Sequence, residues 1–280
     1  MIFFHYSRCT PSMPNINCLL LSTADPIVAR PAKHVLSQQS LMELFTVGIE
    51  NREKFCIDQD DPKDISEWED ISINTKDEIF KINWSVYELE GSIELQWLPL
   101  SVTAVHLRVN SLWGSLDLTL LPDALRVLDL FRNDFSGSID LRKLPGALDT
   151  LNLSSNSLSG SVNLEHLPGS LVRLLLEQNC FVGTICFTKL PDTLIILNLS
   201  DNKFSGSVNL GNLPKHLGQL LLQKNRFSGK TDFSHLSTRL IMLDVSDTEL
   251  EGDIRVSGPG RFFMVENSGV RIYMGCEGRT

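Results

Sequence analysis

The sequence predicts an α/β-type solenoid, a coil of short strands stacked rung on rung, because three residue types share one period. Prolines recur at Pro99, Pro122, Pro145, Pro168, Pro191 and Pro214. Asparagines recur at Asn110, Asn133, Asn156, Asn179, Asn202 and Asn225, and glycines from Gly91 through Gly114, Gly137, Gly160, Gly183, Gly206 and Gly229 to Gly252. Every step is 23 residues. A fixed period of this size marks units that bury their apolar face only by stacking.

Within the period an LxxLxLxxN segment leads, followed by an apolar residue, then S-G-S-I/V-x-L and L-P. Leu125, Leu128, Leu130 and Asn133 spell it once, and Leu148, Leu151, Leu153 and Asn156 spell it again. The LxL spacing has period two, so its leucines face one side of a short strand. The asparagine amide carries donors and an acceptor and can satisfy the backbone of the bend in every rung. The glycine permits a positive φ or a close backbone approach. Proline suits an irregular convex segment rather than a ladder.

This pattern resembles the leucine-rich repeat family, and the S-G-x-I/V tail is similar to its plant-type subclass, found in receptor ectodomains. The resemblance covers roughly residues 68–256. It implies a right-handed coil with short parallel strands on the concave face and irregular or 3-10 and turn segments on the convex face. The subclass usually has proline after its Ile, whereas this chain has Asp140, Asn163, Cys186, Asn209 and Asp232.

Four segments are expected. Residues 1–33 read as flexible, with four prolines and no sustained period. Residues 34–78 read as a helical, acidic N-terminal cap, its helix spanning about 33–51 with Leu36, Leu41, Leu44, Phe45 and Ile49 on one side. Residues 79–258 hold eight repeats, the first and last degenerate: Tyr87 and Thr248 stand where asparagine is due, and Ser237 where proline is due. Residues 259–280 read as a C-terminal cap and tail, with Phe262, Phe263, Val265, Val270 and Ile272 as its apolar residues. The run from Trp68 to Ile73 resembles the plant-type N-terminal cap, in which two cysteines flank a tryptophan. Glu67 and Ile73 occupy the cysteine positions here. That loss argues for a reducing compartment, so cytoplasmic is favoured over secreted.

Composition narrows the function. The net charge is −9, and residues 50–94 hold 14 acidic against 5 basic residues, which accounts for all of it. No basic stripe is available to neutralise phosphates, so nucleic acid is not expected as a partner. No apolar run approaches the ~20 residues of a membrane span. The six cysteines follow no metal-ligand spacing, and Cys180 and Cys186 read as two separate thiols. None of the six histidines sits in HExxH, and neither GxSxG nor GxxxxGK[ST] occurs. Catalytic residues, metal and cofactor are therefore expected to be none.

The residues between the ladder leucines point away from the core. They form three columns, led by Ala104, His106 and Arg108. Apolar Val127, Phe131, Leu175, Ile196, Leu221 and Met242 stand there among polar Arg108, Asp129, Arg173 and Glu177. Apolar anchors with a polar surround suit a protein interface. The expectation is a monomeric scaffold or adaptor that holds a protein partner on the concave face. The alternative is a secreted or cell-surface recognition module, and catalysis in a non-repeat segment comes a distant third. Asn83, Asn152 and Asn198 match the glycosylation acceptor pattern, the last two through the repeat's own L-N-L-S usage. Trp113, where other repeats mostly carry serine, is expected to be partly exposed and packed against its turn.

Overall fold

The computed structural model describes residues 33–56, 63–256 and 260–274. Two compact units result, Met1–Leu36 and Ser37–Thr280, and the coil lies wholly in the second. The N-terminal segment, apart from Lys33, and the tail after Met274 lie outside the described residues.

The first sheet has ten strands. Ile71–Ile73 opens it, antiparallel to Ile79–Asn83, and every later pair is parallel. Ala104, Val127, Thr150, Arg173, Ile196, Gln219 and Met242 pair in turn, each one period from the last. The fixed period thus puts the same position of every rung on one line. Val105, Leu128, Leu151, Leu174, Leu197, Leu220 and Leu243 point inward, all fully buried.

A second sheet of nine strands runs beside the asparagines, from Glu90–Gly91 to Gly269–Met274. Here Trp113 pairs with Asp134 and Ser136 with Ser157, two residues short of the period, so this sheet runs aslant. Its inward residues include Phe135, Phe181, Phe204 and Phe227. Phe204 stacks between Phe181 and Phe227, with centroids 6.0 and 6.1 Å away. Trp113 sits on the outer surface of this sheet, 51% exposed.

The ladder asparagines lock rung to rung. Asn179 Nδ2 donates to Leu153 O in the preceding rung and Leu176 O in its own, at 3.0 and 3.2 Å. Its Oδ1 accepts from Leu158 N at 3.0 Å. Asn133, Asn156, Asn202 and Asn225 repeat the arrangement. Each amide satisfies backbone groups that the bend would otherwise bury alone. Thr248 retains one such bond, from its hydroxyl to Val245 O.

The convex turns are built just as regularly. Pro122, Pro145, Pro168, Pro191 and Pro214 each present a carbonyl that accepts from the leucine three residues on, at 3.0 Å. Ser237 does the same for Leu240 at 3.1 Å. Where the plant-type pattern has proline, a side chain makes the turn instead. Asp140, Asn163, Asn209 and Asp232 each accept, through Oδ1, the N–H two residues on. An Asx turn of this kind replaces proline's fixed φ with a hydrogen bond. The Arg142 side chain and amide donate to the Asp140 carboxylate and hold its pKa down at about 2.

The N-terminal helix is shorter than expected, Gln38–Phe45. Ser37 caps it through Ser40 N, and Thr46 turns its hydroxyl back onto Met42 O. Gly48 and Gly91 then touch. A Cβ on Gly91 would collide with Gly48 O, so two glycines are needed to dock the cap on the edge of the second sheet. Below them Phe45, Phe55, Trp68 and Trp84 pack together. Glu67 lies in a 3-10 turn and Ile73 at the end of the first strand.

At the other end the coil continues for an abbreviated turn. Phe262–Met264 joins the first sheet, and Gly269–Met274 joins the second. Met242 pairs with Phe262, a step of 20 residues. We propose that this short turn is the C-terminal cap.

Besides the recurring glycine, one position per rung is left-handed. Val86, Val109, Arg132, Ser155, Gln178, Asp201, Lys224 and Asp247 have φ between 52° and 62°. This region costs a side chain with Cβ about 1–2 kcal/mol, and least for Asn or Asp. Val86 is β-branched and 64% exposed, so it bears the strain with little burial to offset it. Val86→Asn should raise the melting temperature by about 2–4 °C, or ~1 kcal/mol. An unchanged or lower melting point would show that the strain is relieved elsewhere.

Candidate functional site

The outward residues of the first sheet stand in rows because the ladder has no register shift from Ala104 to Asp244. Val127, Arg173, Ile196 and Met242 share one row, and Asp129, Leu175 and Leu221 share the next. Neighbouring rungs lie about 4.8 Å apart. Phe131 and Glu177 occupy the third column, beyond the strand ends, as does the exposed Arg108. Val127, Phe131, Leu175, Ile196, Leu221 and Met242 are all half-buried. Each exposes part of an apolar side chain while keeping the rest covered by its neighbours.

The polar residues divide into engaged and available groups. Asp129, Asn152, Asn198 and Asp244 turn Oδ1 onto the N–H two residues on, so they close the strand ends. His106 Nδ1 lies 4.0 Å from Asp129 Oδ2. Arg173 Nε donates to Thr150 Oγ1 at 3.0 Å. Glu177 Oε2 and Gln223 Oε1, by contrast, are covered yet accept no hydrogen bond from any described residue. Burial pushes the Glu177 carboxyl up, against an opposing pull from its own backbone N–H and from Ser154. Asn83 pairs with His106, so the three glycosylation-pattern asparagines all stand in the middle row. A glycan there would occupy the face a partner would use. Cys180 and Cys186 are separate thiols. Among the described residues no cluster could hold a metal ion, and no helix is long and apolar enough to cross a membrane.

Sequence reasoning missed two residues at the lip where the chain enters each strand. Ile195 and Ile241 are 44% and 54% exposed, more than any of the expected apolar contacts. Their column reads Thr103, Arg126, Asp149, Val172, Ile195, Gly218, Ile241. The change from polar to aliphatic at Val172 was the available signal.

No family model matches the sequence, and no curated protein matches it. Solved structures do. The chain overlays the PEPR1–AtPEP1 structure with a TM-score of 0.54 at 19% identity, over 84% of this chain and 42% of that one. The fold is a leucine-rich-repeat solenoid. The LRR ectodomain of GASSHO1/SCHENGEN3 from Arabidopsis thaliana is also similar, at 17% identity and TM-score 0.49, over 84% of this chain and 36% of that one. YopM from Yersinia enterocolitica is similar at 24% and 0.42, over 64% and 43%. The leucine-rich-repeat chain described here thus spans less than half of each of these structures. At such identities the likeness concerns the fold alone.

Proposed function

We propose that this leucine-rich-repeat solenoid is a monomeric scaffold or adaptor that holds a protein partner on its concave face. The observation that carries this reading is the pair of unpartnered acceptors, Glu177 Oε2 and Gln223 Oε1, in the column beside the half-buried Leu175 and Leu221. A covered acceptor without a donor costs about 1–3 kcal/mol, which a partner's N–H or O–H would recover once the side chain turns outward to meet it. The apolar residues next to it would supply the anchor, and Arg108, Asp129 and Arg173 would set orientation. A protein suits this face better than nucleic acid, because Arg108 and Arg173 are balanced there by Asp129 and Glu177 and leave no excess of positive charge to neutralise phosphate.

The test is a two-site variant. Phe131→Ser with Leu175→Ser changes half-buried outward residues and should leave the circular dichroism spectrum intact. A partner captured by the wild-type chain from its native cell, then purified and titrated, should bind this variant at least tenfold more weakly, ~1.4 kcal/mol. Equal affinity for the two proteins would refute the concave-face assignment.

A further inference from the structure

The lip beside the strands carries a recess of about 610 Å³, lined among others by Val172, Ile195, Gly218 and Ile241. These four residues stand on successive rungs at the position just before each strand. Three carry aliphatic side chains and one carries none, so Gly218 leaves a notch between Ile195 and Ile241. The glycine is not required by its backbone. A Cβ there would meet Ile195 Cγ2 at 3.6 Å, an ordinary contact.

The backbone of this lip is already satisfied. Gly218 N donates to Ile195 O at 2.9 Å, and Gly218 O accepts from Ile241 N and Met242 N at 2.9 and 3.0 Å. An incoming chain therefore finds no free strand edge here, and recognition falls to side chains. The charge on the recess is one-signed. Arg239 and His216 line it, and no carboxylate does. Next to the lining residues in the chain stand the exposed Arg173 and Lys215 and one exposed carboxylate, Asp192, and the half-buried Asp149 precedes Val172 on the lip. The Arg239 guanidinium is exposed and makes no hydrogen bond or ion pair with any described residue. From Val172 to Ile241 the lip crosses three rungs, about 14 Å, which four residues of extended peptide would span.

We infer that this lip takes an extended acidic peptide, with an aliphatic side chain seated in the Gly218 notch and a carboxylate paired with Arg239. The inference rests on the proposed binding role but places the contact off the strands, on the entry side. Aliphatic contact supplies hold, and the unpartnered arginine supplies a charge-assisted hydrogen bond to the carboxylate.

The test uses fluorescein-labelled peptides and fluorescence polarisation. One peptide alternates isoleucine with glutamate, a second isoleucine with lysine, and a third serine with glutamate. The wild-type chain should bind the first at least tenfold more tightly than the other two. Gly218→Leu fills the notch and should weaken that binding at least tenfold, with the melting temperature unchanged. Arg239→Glu should weaken it similarly and favour the isoleucine–lysine peptide. Gly218→Leu binding as wild type would overturn the inference. So would the absence of any preference in the wild-type chain. Loss confined to the Phe131→Ser, Leu175→Ser variant would place the peptide on the strands, which overturns this inference and keeps the concave-face reading. Loss confined to the two lip variants would do the reverse. Sedimentation showing wild-type dimers that Gly218→Leu dissolves would assign the lip to a second copy of this chain, again overturning the inference.

Discussion

Asn179→Asp should destabilise the protein more than Asn179→Ala at neutral pH, and the gap between them should narrow in acid. Asn179 is 8% exposed and joins four backbone groups: Leu158 N, Leu153 O, Leu176 O and Glu177 O. Alanine leaves Leu158 N covered and without an acceptor, while Leu153 O keeps its bond from Asn156 Nδ2 and Leu176 O its bond from Asn202 Nδ2. That orphaned donor costs about 1–3 kcal/mol, or roughly 2–12 °C in melting temperature. Aspartate keeps the acceptor that Leu158 N needs. It replaces the amide donors, however, with an oxygen facing three carbonyls. Lone pairs then oppose lone pairs, and a negative charge sits in a covered site. Such a carboxyl has a folded-state pKa above its unfolded value, since protonation lets it donate to one of the carbonyls. Its penalty is therefore full at pH values above the folded pKa. It declines as the pH falls through that value, and reaches its minimum below the unfolded pKa near 3.9. Thermal melts of the two variants at pH 7 and pH 4, each compared with wild type, measure the effect. A wild-type-like melting point for Asn179→Ala would show that the asparagine ladder adds nothing to cohesion.

The same rung shows why much of this fold could be read from residues alone. Asparagine at Asn179 and leucines at Leu174 and Leu176 are forced, because each fills a site that every neighbouring rung duplicates. A stacked architecture multiplies one local rule, so the rule becomes visible as a period. What the period conceals is conformation that does not select one residue type. The left-handed position accepts Val86, Gln178 and Lys224 alike, so nothing in the letters marks it. Asp140 and Asn163 looked like departures from a proline pattern, yet they make the same turn by another bond. The final turn was hidden because its step drops to 20 residues and its ladder asparagine is gone.

The candidate site was less legible for a related reason. Outward residues such as Phe131 and Leu175 can be assigned to a face by alternation, but alternation ends where the chain bends into the strand. Ile195 and Ile241 lie at that bend, where the path of the chain and not alternation decides that they are exposed. The lone glycine between them carries meaning only once its neighbours are known to stand in line.

Trp84→Ala should cost about 3–5 kcal/mol and act locally, unravelling the coil from its N-terminal end. Trp84 is fully buried, stacks on Phe55 with centroids 4.1 Å apart, and lies 6.2 Å from both Phe45 and Trp68. Its indole N–H donates to Glu69 O at 2.8 Å. Alanine would remove the centre of this cluster and leave that carbonyl without its donor. Each rung touches only its neighbours, so the loss enters the coil at Ile79–Asn83 and weakens with distance. Amide hydrogen exchange should accelerate in Ile79–Asn83 and Ala104–His106, and stay near the wild-type rate in Gln219–Leu221. Trp84→Phe, which keeps a ring in the stack, should fall between the two. Acceleration of equal size in all three strands would mean that the coil opens as one cooperative body, and that its end is no weaker than its middle.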